Sequence, residues 1–99
     1  MLAPLFLSAC LMLPRDINED YLSVACAEKA DGSLQVNAQY MESAWGFDNM
    51  HTLRDGDRIY ILGKLKFEAL GMFKTTLKVP GDVSEVYFCS KKIWSRNSE

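Results

Sequence analysis

Apolar and polar residues change places at every step from Leu34 to Tyr40. Leu34, Val36, Ala38 and Tyr40 fall on one side, and Gln35, Asn37 and Gln39 on the other. A period of two suits a strand with one buried face and cannot be laid on a helix, whose apolar positions recur about every 3.6 residues. The pattern returns along the chain. Leu22, Val24 and Cys26 alternate with Tyr21, Ser23 and Ala25. Ile59, Ile61, Leu65 and Phe67 keep one parity against Lys64, Lys66 and Glu68. Phe73, Thr75, Leu77 and Val79 repeat it, and Val86 and Phe88 oppose Tyr87 and Cys89.

Turn signals separate these runs. Asp31-Gly32 predicts a tight hairpin joining strands over 21–28 and 33–42, because glycine accepts positive φ without steric cost. Asp55-Gly56 predicts a second hairpin, between a short segment around Met50 to Leu53 and the β-forming run from Arg58. Gly63 marks a bulge or bend in that run. Glu68 to Gly71 reverses the chain. Pro80-Gly81 fits the centre of a type II turn, and a last strand follows over 83–90. No internal repeat and no capped amphipathic helix are present. The reading is mostly β: a small antiparallel β-sandwich, immunoglobulin-like, or a barrel, of about 5–7 strands.

Ninety-nine residues leave room for one such domain. A net charge of −2 argues against a dedicated nucleic-acid binder, even though Tyr60, Lys64 and Lys66 are of the types found on a nucleic-acid-binding sheet. No apolar run reaches the roughly 18–20 residues of a membrane-spanning helix.

The chain opens MLAPLFLSAC. Seven of these first nine residues are apolar, none is charged, and Ser8 and Ala9 lead into Cys10. The run Leu7-Ser8-Ala9-Cys10 resembles the lipobox of bacterial lipoprotein signal peptides. The resemblance implies that 1–9 are removed, that Cys10 is lipidated, and that several acyl chains anchor the protein to a membrane. The same resemblance implies, from Leu11 standing where such lipoproteins carry Asp for inner-membrane retention, an outer-membrane location with the domain facing the periplasm. Residues 10–20 then read as the lipidated cysteine and a polar tether, and 21–99 as the β domain. No basic residue precedes Cys10, so the match covers only part of a complete signal. In an oxidising compartment the remaining cysteines, Cys26 and Cys89, are expected to pair. Such a bridge closes a long loop and stabilises by roughly 4 kcal/mol. The strand parity of Cys89, opposite to that of Phe88, conflicts with this pairing.

Few residues carry chemistry. Trp45 and Phe47 sit in a segment, 43–49, that reads as a loop between strands; they either close one end of the core or meet a partner. Trp94, among Lys91, Lys92 and Arg96, carries the same two readings, with a lipid headgroup as a further contact. Met41, Met50 and His51 are the residue types that hold Cu(I), but at loose spacing. Asp55, Asp57 and Asp82 lack the spacing of a calcium loop. With one histidine and no nucleophile or phosphate-binding motif, no enzyme and no cofactor are expected. The function expected is that of a non-catalytic protein-binding module of the cell envelope. It would act in immunity or exclusion, or as an accessory subunit of an envelope machine. The alternatives are a periplasmic copper or small-ligand carrier and a soluble cytosolic β domain.

Overall fold

A computed structural model describes residues 15–42 and 44–96. Cys10 and the segment 1–9 lie outside the described residues. A short 3-10 turn, Glu19–Tyr21, is followed by seven strands. These are β1 (Leu22–Glu28), β2 (Leu34–Tyr40), β3 (Trp45–Asp55), β4 (Arg58–Phe67), β5 (Met72–Leu77), β6 (Glu85–Phe88) and β7 (Lys91–Ser95). They form two sheets, ordered β1-β2-β5 and β3-β4-β6-β7. The result is a small β-sandwich, as the alternation predicts.

The inward parity is the one the sequence carries. Leu34, Val36, Ala38 and Tyr40 from β2 meet Ile59, Ile61 and Leu65 from β4, with Val86 and Phe88 from β6, in one buried cluster. Each of the Val, Leu, Ile and Phe side chains among them contributes about 1.5–3 kcal/mol when fully buried. Phe47 packs edge-on to Tyr40 and Phe88 and tilted to Phe73, with ring centroids 5.9–6.1 Å apart. Both sheets therefore share one aromatic centre.

One pairing is parallel: β6 lies beside β4 with Arg58 opposite Glu85 and Ile61 opposite Phe88. The chain leaves β4 for β5 in the other sheet and returns, which is the crossover that parallel neighbours require. Its return is fixed at the β3–β4 turn. Ser84 and Glu85 donate their N–H groups to the Asp57 carbonyl, and the Ser84 hydroxyl donates to the Asp57 carboxylate at 2.6 Å.

Several expectations need correction. Residues 45–49 are not a loop, and the strand before Asp55 is not short: β3 runs from Trp45. Gly46 allows this, because a Cβ there would lie 2.2 Å from the Ala69 carbonyl oxygen. The chain at 68–71 crosses so close to β3 that only glycine fits. The bulge is on β3, between Asp48 and His51, where Asn49 takes a φ of 52°. Gly63 sits across from it and leaves room for the Met50 thioether. At 80–83 the turn is displaced by one residue. Val83 N–H donates to the Pro80 carbonyl at 2.9 Å, so Gly81 and Asp82 are the central pair, and Gly81 has no positive φ.

Residues 15–20 are not a free tether. Arg15 exchanges two backbone hydrogen bonds with Leu65, continuing the free side of β4 beyond the end of β6. Its guanidinium lies 3.9 Å from the Trp45 ring centre and pairs with Glu42 at 2.5 Å. Asp16 pairs with Lys64, Ile17 packs on the core, and Asn18 caps the 3-10 turn. The folded domain thus includes Arg15.

Cys26 and Cys89 are free thiols in this structure, so the expected bridge is not made. Ser90, next to Cys89, donates to Glu19 just before β1 begins. Cys26 lies near the other end of β1, two residues from Glu28, which holds Trp94. At about 3.3 Å per residue, the separation between Leu22 and Cys26 is roughly 13 Å, beyond the reach of a disulfide.

Candidate functional site

The two outer faces of the sandwich differ. On the three-stranded sheet, Ser23, Ala25, Asn37, Gln39 and Lys74 give a small, polar surface around Met72. On the four-stranded sheet, registers place apolar and aromatic residues side by side. His51 is opposite Leu62, Leu53 opposite Tyr60, Tyr60 opposite Tyr87, and Tyr87 opposite Lys92. A row of Leu53, Tyr60 and Tyr87 thus crosses three strands, with Leu62 and His51 beside it.

This row is built, not loose. Tyr60 and Tyr87 stack with ring centroids 5.2 Å apart and planes 22° from parallel, a result of the parallel β4–β6 register. Arg58 extends over Tyr87, 5.5 Å from the ring centre, and pairs with Glu85 at 3.0 Å. The Tyr60 hydroxyl, the Tyr87 ring and Glu85 hold the Arg58 guanidinium in its charged form. Lys92 completes the Glu85 pair at 3.2 Å. Leu53 remains 53% exposed and Tyr60, Leu62 and Tyr87 are half-buried. Further along the same face, beyond His51 and Leu62, come Asp48 opposite Lys64 and then Lys66. A shallow depression bounded by Asn49, His51, Leu62, Gly63 and Lys64 continues it past the bulge. The outer face of this sheet thus carries an aromatic centre flanked by charges of both signs.

The residues singled out from the sequence lie elsewhere. Trp45 is buried, edge-on to Phe67 at 5.7 Å and covered by Arg15. Phe47 belongs to the aromatic centre of the core. Trp94 faces inward opposite Val86, donates its indole N–H to Glu28 at 2.7 Å, and lies against Arg96. Arg96 is not a solvated tail residue: its guanidinium donates to the Val83 and Pro80 carbonyls. The structure therefore gives Trp45, Phe47 and Trp94 packing roles.

Met41, Met50 and His51 are not brought together. Met41 is exposed after β2, Met50 packs inward over Gly63, and His51 stands on the outer face with Nδ1 donating to the Asn49 carbonyl. Asp57 is engaged by Ser84 and Asp82 by Arg54 at 2.7 Å. Among the described residues no three His, Cys, Asp or Glu side chains converge on a metal position.

The alternation puts Tyr87 opposite in parity to Val86 and Phe88, but nothing local shows that Tyr60 and Tyr87 touch. Their strands are neighbours only through the crossover, for which the chain carries no local signal. Comparison with protein-family models, curated proteins and solved structures finds no match to this chain.

Proposed function

We propose that this protein is a small lipid-anchored module of the bacterial cell envelope that acts by binding another protein. The observation that carries the binding half is the Leu53–Tyr60–Tyr87 row on the outer face of the four-stranded sheet. Blocking or docking functions such as immunity, exclusion or an accessory role in an envelope machine need a rigid, partly apolar surface of this kind and no chemistry. The anchor rests on the lipobox-like run ending in Cys10. Arg15, five residues later, is already part of the folded domain. Lipid attachment at Cys10 would hold that end within about 17 Å of the membrane surface.

Two measurements test the reading. A photo-crosslinking amino acid at Tyr60 should capture in cells a protein of defined size other than a second copy of this chain, and the same probe at Asn37, on the opposite sheet, should not. Equal capture from both faces, or none, counts against the surface. Radiolabelled palmitate should label the full chain and not the Cys10→Ala variant; an unlabelled wild type removes the anchor and leaves the binding surface to be judged alone.

A further inference from the structure

Strand β3 is one of the two edge strands of the four-stranded sheet and the longest among the described residues. Its start is covered by the 68–70 segment, through Phe47 N–H to the Leu70 carbonyl at 3.0 Å and Glu68 N–H to the Ala44 carbonyl at 2.7 Å. Beyond the bulge that cover ends. Every residue from His51 to Arg58 is exposed, and among the described residues no strand pairs with this side of β3.

The hairpin loop sets which backbone groups are free. Gly56 and Asp57 form a two-residue loop, with Gly56 at a φ of 60°. In such a hairpin the closing pair, here Asp55 and Arg58, exchanges hydrogen bonds. Alternation then turns the N–H and C=O groups of Leu53 and His51 toward β4, and those of Thr52 and Arg54 outward. Uncovered backbone groups on a long edge strand are a template for another strand, and neither Pro nor Lys guards 50–55.

We propose that this edge pairs antiparallel with the same edge of a second copy of the chain, about a two-fold axis at Leu53. In that register Thr52 exchanges hydrogen bonds with the second copy's Arg54, and Arg54 with its Thr52. The two Leu53 side chains meet at the axis in a non-hydrogen-bonded position, where side chains approach most closely. His51 faces the second copy's Asp55 on the same surface, a complementary pair that the symmetry repeats. This explains why a large apolar side chain stands exposed at Leu53. The other edges are less suited. The charge on β5 is Lys74 alone, which brings only positive charge from each copy, and β1 and β7 lie against each other at the seam closed by Trp94 and Glu28. Pairing joins the two outer faces, so the Leu53, Tyr60 and Tyr87 rows of both copies become one.

The pairing shares Leu53 with the row proposed to bind a partner but does not depend on that reading, and it is tested separately, on the purified chain, where no other protein is present. Sedimentation velocity should show a monomer–dimer boundary that moves with concentration. Thr52→Pro, which removes an outward N–H at a tolerated edge position, should lose it. Under a mild oxidant such as diamide, Leu53→Cys should form a disulfide joining two copies at residue 53. A mixture of His51→Cys and Asp55→Cys should form a 51–55 link. A boundary that stays monomeric at all concentrations overturns the proposal, as does a dimer that survives Thr52→Pro. If Thr52→Pro fails to fold, the crosslinks decide: absence of both the 53–53 and the 51–55 links overturns it.

Discussion

Trp94 on the last strand donates its indole N–H to Glu28 at the end of the first, 2.7 Å away, and this bond ties the two sheets along the seam between β7 and β1. Glu28 is exposed, so the bond works partly in competition with water. Glu28→Ala should cost at most about 1 kcal/mol of stability, and Trp94→Phe slightly more because ring area is also lost. The bond itself is read from a double-mutant cycle on denaturant midpoints. The two changes should be non-additive by several tenths of a kcal/mol. Strict additivity would show that the seam is held by the ring's packing alone.

Two glycines on the same hairpin should respond differently to alanine. At Gly46 the new Cβ would lie 2.2 Å from the Ala69 carbonyl oxygen and 2.4 Å from the Leu70 carbonyl carbon. Backbone cannot swing aside, so Gly46→Ala should destabilise by about 2–4 kcal/mol. At Gly63 the clash is with the Met50 sulfur at 2.1 Å, the end of a flexible side chain. Gly63→Ala should cost about 1–2 kcal/mol, and Met50→Ala in the same chain should recover part of it. Thermal melting of the three variants checks the order. Equal losses at both positions would mean that the 68–71 segment gives way.

The contrast between these glycines shows what the chain discloses. Strand parity was legible because each inward face is written locally: Leu34, Val36, Ala38 and Tyr40 need no partner to be recognised. The bulge was foreseen at Gly63, but the extra residue lies across from it, on β3, and glycine marks only the space that Met50 fills. The segment 43–49 reads as a loop because Trp45 and Phe47 stand beside Gly46 and the polar Asp48 and Asn49. Tertiary crowding at 69–70 and the left-handed bulge conformation explain Gly46 and Asn49 within a strand. The candidate surface was least legible. Tyr60 and Tyr87 are 27 positions apart in sequence and meet only because β6 returns parallel to β4.

Acid should begin to weaken the fold as pH enters the ordinary carboxylate range. A hydrogen bond and charge from Lys64 lower the Asp16 pKa, the Ser33 hydroxyl and N–H lower that of Asp31, the Ser84 hydroxyl that of Asp57, and Arg54 that of Asp82. Each is depressed in the folded state relative to about 3.9 in the unfolded chain. The contribution is therefore complete above roughly pH 5 and is lost as pH falls through the folded values. Denaturant midpoints should be level from pH 7 to 5 and decline toward pH 3. These carboxylates are exposed, so the decline should be shallow, and salt should reduce the Asp16 and Asp82 parts most. Asp57→Asn should remove the Asp57 share and make the decline shallower. A midpoint already falling between pH 7 and 5 would place control with another group.

Burial raises the Cys26 thiol pKa, and burial together with the Glu19 and Asp16 carboxylates raises that of Cys89. The thiolate is the reactive form, and both side chains are half-buried, so neither should react readily in the folded protein. At neutral pH, alkylation of Cys26 and Cys89 by iodoacetamide should be much slower than that of an exposed cysteine, and should accelerate in denaturant. Peptide mapping after denaturation without reductant should find both residues alkylated. Failure to alkylate them until a reductant is added would mean that the two ends of β1 and the β6–β7 turn rearrange to let the sulfurs meet. The Ser90–Glu19 contact would then be the first to give way, since it holds the Cys89 turn at the start of β1.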